Sequence, residues 1–146
     1  MSTKLVKELI SSYPRDIKKV SIAAIASHSA LDVFDGAKDE GFRTIAICQK
    51  GREKPYLRFD RVVDVLIILD RFADVLRDDV IAKLKELNAI FVPNRSFSVY
   101  VGYDNIENKF PIPIFGNRYL LRYEERTGDK NYYRSVSYTH LTLPTN

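Results

Sequence analysis

The chain has 146 residues, enough for one domain of ordinary size; 45% are apolar and 29% charged, the balance of a globular domain that can bury its own core. The net charge of +4 is spread through mixed segments such as KELISSYPRDIKK, so no basic block argues for nucleic acid, and no apolar run approaches the ~20 residues of a membrane span. Cys48 is the only cysteine, which excludes an internal disulfide or a multi-cysteine metal site. Within RTIAICQK it reads as a small buried hydrophobe. The opening MSTKLVKELISSYPRD carries charges throughout and does not read as a signal peptide, so a cytoplasmic location is expected.

In chain order, Leu5, Glu8, Leu9 and Ser12 mark a short opening helix with Leu5, Val6 and Leu9 on its apolar side, ended at Tyr13 and Pro14. KVSIAAIA is a continuous apolar run of strand length. SHSALDVFDGAKDEGF places Ala30, Leu31, Phe34, Ala37 and Lys38 at helical spacing and stops at Gly41. RTIAICQK is a second buried strand, completing a βαβ unit. GREKPYLRF reads as a polar loop, DVLIIL as a third strand, DDVIAKLKEL as a helix with Asp78 or Asp79 near its N-cap, and NAIFVP as a fourth strand stopped by Pro93. Apolar strands alternating with helices imply an α/β domain with a parallel, Rossmann-like sheet covered on both faces. Beyond Pro93 the composition turns aromatic and turn-rich: SFSVYVG reads as a short helix, IPIFG as extended, and NRYLLRYEER as a helix capped by Asn117.

In such a sheet, ligands bind outside the carboxyl ends of the strands. The first strand ends at Ser27, His28 and Ser29, beside the N-terminus of the next helix, where free amides favour a phosphate or carboxylate. Ser27 or Ser29 either caps that helix or caps it and binds ligand. Ser96, after the fourth strand, shares this edge if the strands are neighbours. Arg95, and Lys50 and Arg52 after the second strand, are weaker candidates. Neither G-x-G-x-x-G nor the P-loop pattern occurs, and no metal-ligand spacing appears, so no catalytic, cofactor-binding or metal residue is assigned.

The last stretch, SVSYTHLTLPTN, contains no Asp, Glu, Lys or Arg, and SVSYTHLTLP matches one reading frame of a common sequencing adaptor. Residues 135–146 are therefore expected to be foreign, which leaves His140 without functional meaning. The organisation expected is a substrate-binding lead domain over 1–93, a connection and the start of a further part over 94–134, and the foreign tail.

The segments SHSAL, GAKDEGF, KGREKPY and FGNRYLLR, with VPNRSFSVYVG, together resemble the N-terminal part of the formate-dependent purine-biosynthesis ligases, the archaeal-type formaminoimidazole-carboxamide ribonucleotide synthetases of the ATP-grasp superfamily. That resemblance implies an ATP-dependent carbon–nitrogen ligase that formylates the amine of aminoimidazole-carboxamide ribonucleotide with formate, through formyl phosphate, on the way to IMP. It implies that His28 and Ser96 contact the ribonucleotide, with Ser29 beside them. ATP and Mg²⁺ sites would lie downstream, the chain stopping before most of the ATP-grasp domain, and self-association of the full-length enzyme is expected. Many members of that family read PHGSF where this chain has PNRSF. Asn94 and Arg95 thus leave open a paralogue, or a non-catalytic α/β module, that binds another phosphorylated nucleotide.

Overall fold

Strands β1 (Ser21–Ile25), β2 (Arg43–Gln49), β3 (Val65–Leu69) and β4 (Ala89–Phe91) form one parallel sheet in the order β3-β2-β1-β4 in the computed structural model, which describes residues 3–27 and 29–124. The order matches the first four strands of a Rossmann-type sheet. The central strands are apolar on both faces because both faces are covered. Ala23, Ala24 and Ile25 of β1 and Thr44 to Cys48 of β2 are all buried. Register is continuous from Ser21↔Arg43 to Ile25↔Ile47, and Ser21↔Ala89 sets β4 on the other side of β1.

Helix α2 (Ala30–Asp39) covers one face: Ala30 and Phe34 pack with Ala24, Ala26, Ala46, Cys48, Tyr56 and Val63. Small residues on β1 and β2 let the helix approach. Beside β4, Phe91, Phe97 and Phe110 form an aromatic trio with centroids 4.5 to 5.2 Å apart. It fastens helix α5 (Arg95–Val101) and the segment after helix α6 (Tyr103–Asn108) to the sheet. The extended reading of IPIFG holds, since Ile114 bridges Phe91 in parallel, with Phe91 N donating to Pro113 O and Phe115 N to Phe91 O, both at 2.8 Å.

Several local expectations are corrected. In helix α1 (Thr3–Ser11), Leu5 is not on an inward face; it is exposed, while Val6 and Leu9 are half-buried. KPYLR in the expected polar loop is helix α3 (Lys54–Arg58), because Pro55 is tolerated in a first turn and Tyr56 anchors it in the core. Strand β3 is not covered on both faces: it lies at the sheet edge, and Ile68 is 47% exposed. A 3₁₀ turn at Phe72–Leu76 precedes helix α4 (Asp78–Glu86), and neither that turn nor α6 was legible as a separate element.

The first compact unit runs from Met1 to Phe115 and the second begins at Gly116. In the second, a 3₁₀ turn at Arg118–Leu120 leads into helix α7 (Leu121–Glu124). Asn117 caps the turn as expected, its side chain accepting from Tyr119 N at 2.9 Å. Residues 125–146, including the expected foreign tail, lie outside the described residues.

Candidate functional site

The connection from β1 to β2 runs to one side of β1, and the chain later crosses over so that β4 lies on the other. The crevice between the carboxyl ends of β1 and β4 is therefore the topological switch point, where open α/β sheets bind ligands. A cleft of about 270 Å³ lies there, lined by Ser27 and Ser29 from the β1 loop and by Asn94, Arg95, Ser96, Val99 and Tyr100 from the β4 side. The sequence-derived candidates Ser29 and Ser96 thus face one cleft. His28 lies outside the described residues; its neighbours Ser27 and Ser29 both line the cleft. Lys50 and Arg52 follow β2 and are exposed, apart from the cleft lining.

Serine at a helix start usually caps it. Here Ser29 occupies the N-cap position of α2, but its side chain makes no capping bond. Ala30 N instead donates to the backbone oxygen of Ser27 at 2.9 Å. The capping role considered for Ser29 is therefore not the one its hydroxyl takes. Among the described residues, the hydroxyls of Ser29 and Ser96 and the guanidinium of Arg95 have no hydrogen bond or ion pair within the protein. The result is a group of unoccupied donors, which suits a ligand rich in acceptor oxygens.

The lining also has an apolar part, on the same helix as Arg95 and Ser96. Val99 and Tyr100 are 60% and 52% exposed, large values for apolar side chains in a cleft. Tyr100 is held against buried Phe72, with ring centroids 5.2 Å apart. A donor-rich end and an aromatic wall in one cleft fit a ligand with an anionic and a planar part.

Asn94 is the cleft-lining residue most clearly missed as a site candidate. Its side-chain oxygen accepts from Phe97 N at 3.0 Å, and its amide nitrogen donates to Ile25 O at 2.9 Å and Ser27 Oγ at 3.3 Å. Asparagine just before a helix is a capping signature that would have found the first bond. The bonds to β1 depend on strand order. Tyr100 carried no local signal, since its ring packs on Phe72.

The carboxyl end of β2 also holds groups outside the cleft lining. Burial pushes the Cys48 thiol up, with Glu53 adding to that shift and Arg52 opposing it, so Cys48 is an inert core residue, as its strand setting suggests. Tyr56 donates its hydroxyl to Ser27 O at 3.3 Å, and burial, then Cys48, pushes its phenol up. One carboxylate oxygen of Glu53 is buried without a hydrogen-bond partner among the described residues. Among the described residues no group of three or more His, Cys, Asp or Glu side chains could hold a metal ion. No helix among them is long and apolar enough to cross a membrane.

Residues 22–146 match the family described as Protein of unknown function (DUF1246). The chain is 50% identical over 117 residues to the 5-formaminoimidazole-4-carboxamide-1-(beta)-D-ribofuranosyl 5'-monophosphate synthetase of Methanobrevibacter smithii, covering 80% of this chain and 31% of that protein. It is 48% identical over 124 residues to the protein of the same name from Methanopyrus kandleri, covering 85% and 34%. Among solved structures, the IMP biosynthesis protein PurP from Thermococcus kodakaraensis aligns with a TM-score of 0.59 at 36% identity, over 70% of this chain and 31% of that one. The chain spans about a third of the length of these relatives.

Proposed function

The chain belongs to the DUF1246 family, and from that premise we propose that its switch-point cleft is the ribonucleotide-binding site of an ATP- and formate-dependent ligase of purine biosynthesis. In this reading the enzyme formylates aminoimidazole-carboxamide ribonucleotide and works in the cytoplasm. Formate takes the γ-phosphoryl group of ATP, the substrate amine attacks the resulting formyl phosphate, and phosphate leaves. The names of the relatives support the substrate class. The observation that carries the reading is the cleft between β1 and β4, with unoccupied donors from both loops and an aromatic wall.

Residues 1–93 then act as the substrate-binding lead domain and 94–134 as the connection into an ATP-grasp part, while 135–146 are foreign to the enzyme. The described residues gather no group of three or more His, Cys, Asp or Glu side chains, and no step through Mg²⁺ is assigned to them. ATP and Mg²⁺ belong to sequence outside this stretch, and self-association belongs to the complete enzyme. His28 and Ser96 contact the ribonucleotide, with Ser29 beside them.

The test is steady-state kinetics on His28→Ala and Ser96→Ala in the complete enzyme, varying each substrate in turn. Losing one hydrogen bond to the ribonucleotide costs ~1–3 kcal/mol, a ~5- to ~150-fold fall in catalytic efficiency toward it. A change confined to the apparent ATP affinity would contradict the assignment. Arg95 in the cleft lining favours a second reading, a paralogue for another phosphorylated nucleotide. That reading predicts tighter binding of a different nucleotide in the same cleft.

A further inference from the structure

A serine hydroxyl can donate or accept, so a serine in a cleft does not by itself select its ligand. In this cleft the balance is tipped at Ser27, where Asn94 takes one of the two acceptor positions of the hydroxyl. The orientation of the Asn94 amide is set by two neighbours that agree. Phe97 N can only donate, and lies 3.0 Å from Oδ1; Ile25 O can only accept, and lies 2.9 Å from Nδ2. The second hydrogen on Nδ2 then points at Ser27 Oγ, 3.3 Å away. Ser27 Oγ is thus an acceptor toward the protein, and no acceptor for its own proton occurs among the described residues. Ser27 is half-buried and lines the cleft, so its proton is available to a ligand there.

We propose that Asn94 is a positioning residue which fixes the Ser27 hydroxyl as a hydrogen-bond donor to an acceptor oxygen of the bound ligand. The inference rests on the ribonucleotide reading above and adds the way in which the cleft prefers acceptor-rich groups. One side chain caps α5, ties the β4 loop to the end of β1 and sets the polarity of Ser27. Both amide hydrogens are taken up within the protein, so Asn94 has no donor left for the ligand and acts on it through its neighbour.

The experiment is a double-mutant cycle in the complete enzyme, with affinity for aminoimidazole-carboxamide ribonucleotide measured by calorimetry and folding checked by thermal midpoint. Ser27→Ala removes the donor. Asn94→Ser keeps a helix-capping hydroxyl and loses the amide. Each should weaken binding ~5- to ~20-fold, the loss of roughly one hydrogen bond. The double variant should bind no more weakly than the weaker single, because both changes remove one interaction. If Asn94→Ser unfolds the chain, Asn94→Asp takes its place, keeping the capping oxygen while drawing the Ser27 proton to itself, and the same coupling with Ser27→Ala is expected. Multiplying effects, or a Ser27→Ala variant that binds normally, overturn this assignment while leaving the ribonucleotide reading intact. No binding by the unaltered complete enzyme overturns that reading and this assignment with it.

Discussion

The two edges of the sheet use polar side chains in opposite ways. At the amino edge, side chain after side chain is tied to the backbone. Arg43 Nε donates to Ser21 Oγ at 2.7 Å and Arg43 Nη2 to Leu87 O at 2.9 Å, while Ser21 Oγ donates to Leu87 O at 2.6 Å. Asn88 Nδ2 reaches Lys19 O at 3.0 Å, and Tyr13 OH reaches Ala89 O at 2.7 Å. Asp64 accepts from Lys38 Nζ and Thr44 N, each at 2.9 Å. At the carboxyl edge, the hydroxyls of Ser29 and Ser96 and the Arg95 guanidinium, all lining the cleft, have no such partners among the described residues. In the proposed reading, the same residue types serve stability where their partners lie within the protein and recognition where they do not.

If that division is right, the largest stability loss comes from the amino edge. Arg43→Ala strips donors from Ser21 Oγ, Leu87 O and Lys19 O, and should cost ~2–3 kcal/mol, read from urea unfolding, with ligand affinity of the folded fraction unchanged. Asp64→Ala should cost less, ~1–2 kcal/mol, because the carboxylate and Lys38 are partly solvated. Burial works against the Asp64 carboxylate, but hydrogen bonds from Lys38 and Thr44 outweigh it and hold its pKa below the usual value. Its contribution is therefore present above the ordinary carboxylate range and is lost as pH falls through the lowered folded value. Acid unfolding monitored by circular dichroism should begin at higher pH in Asp64→Ala.

Tyr13→Phe should cost ~1 kcal/mol. Burial raises the Tyr13 pKa from 10.0 to about 12, so folding favours the neutral phenol. That contribution is complete below pH 10 and declines as pH rises toward 12. The stability gap between Tyr13→Phe and the unaltered chain should close over that window. The smallest stability effect is expected at the carboxyl edge: Ser29→Ala and Ser96→Ala should stay within ~0.5 kcal/mol. Either one costing as much as Arg43→Ala would erase the distinction between the edges.

Much of this was legible in the residues. The apolar runs of β1 and β2 and the Phe34 face of α2 announced a parallel sheet with helices on it, and strand ends pointed to Ser29 and Ser96. Strand order was not legible, because residues 65–69 read alike as a covered or an edge strand until the β2–β3 pairing placed them at the margin. Nor could sequence distinguish Ser21, whose hydroxyl is occupied, from Ser29, whose hydroxyl is open. That difference lies in contacts between residues 66 positions apart. Asn94 has the same character, since its bonds to Ile25 and Ser27 cross from one strand end to another.

The central claim is that the cleft at the carboxyl ends of β1 and β4 holds the ribonucleotide. The most direct measurement is a titration of the isotope-labelled chain with aminoimidazole-carboxamide ribonucleotide, followed through its backbone amide resonances. The account predicts saturable shifts centred on Ser27, Ser29, Asn94 to Ser96 and Tyr100, with the amides around Ser21, Arg43 and Asn88 unmoved. Shifts centred on the amino edge, or no saturable shift at all, would contradict it.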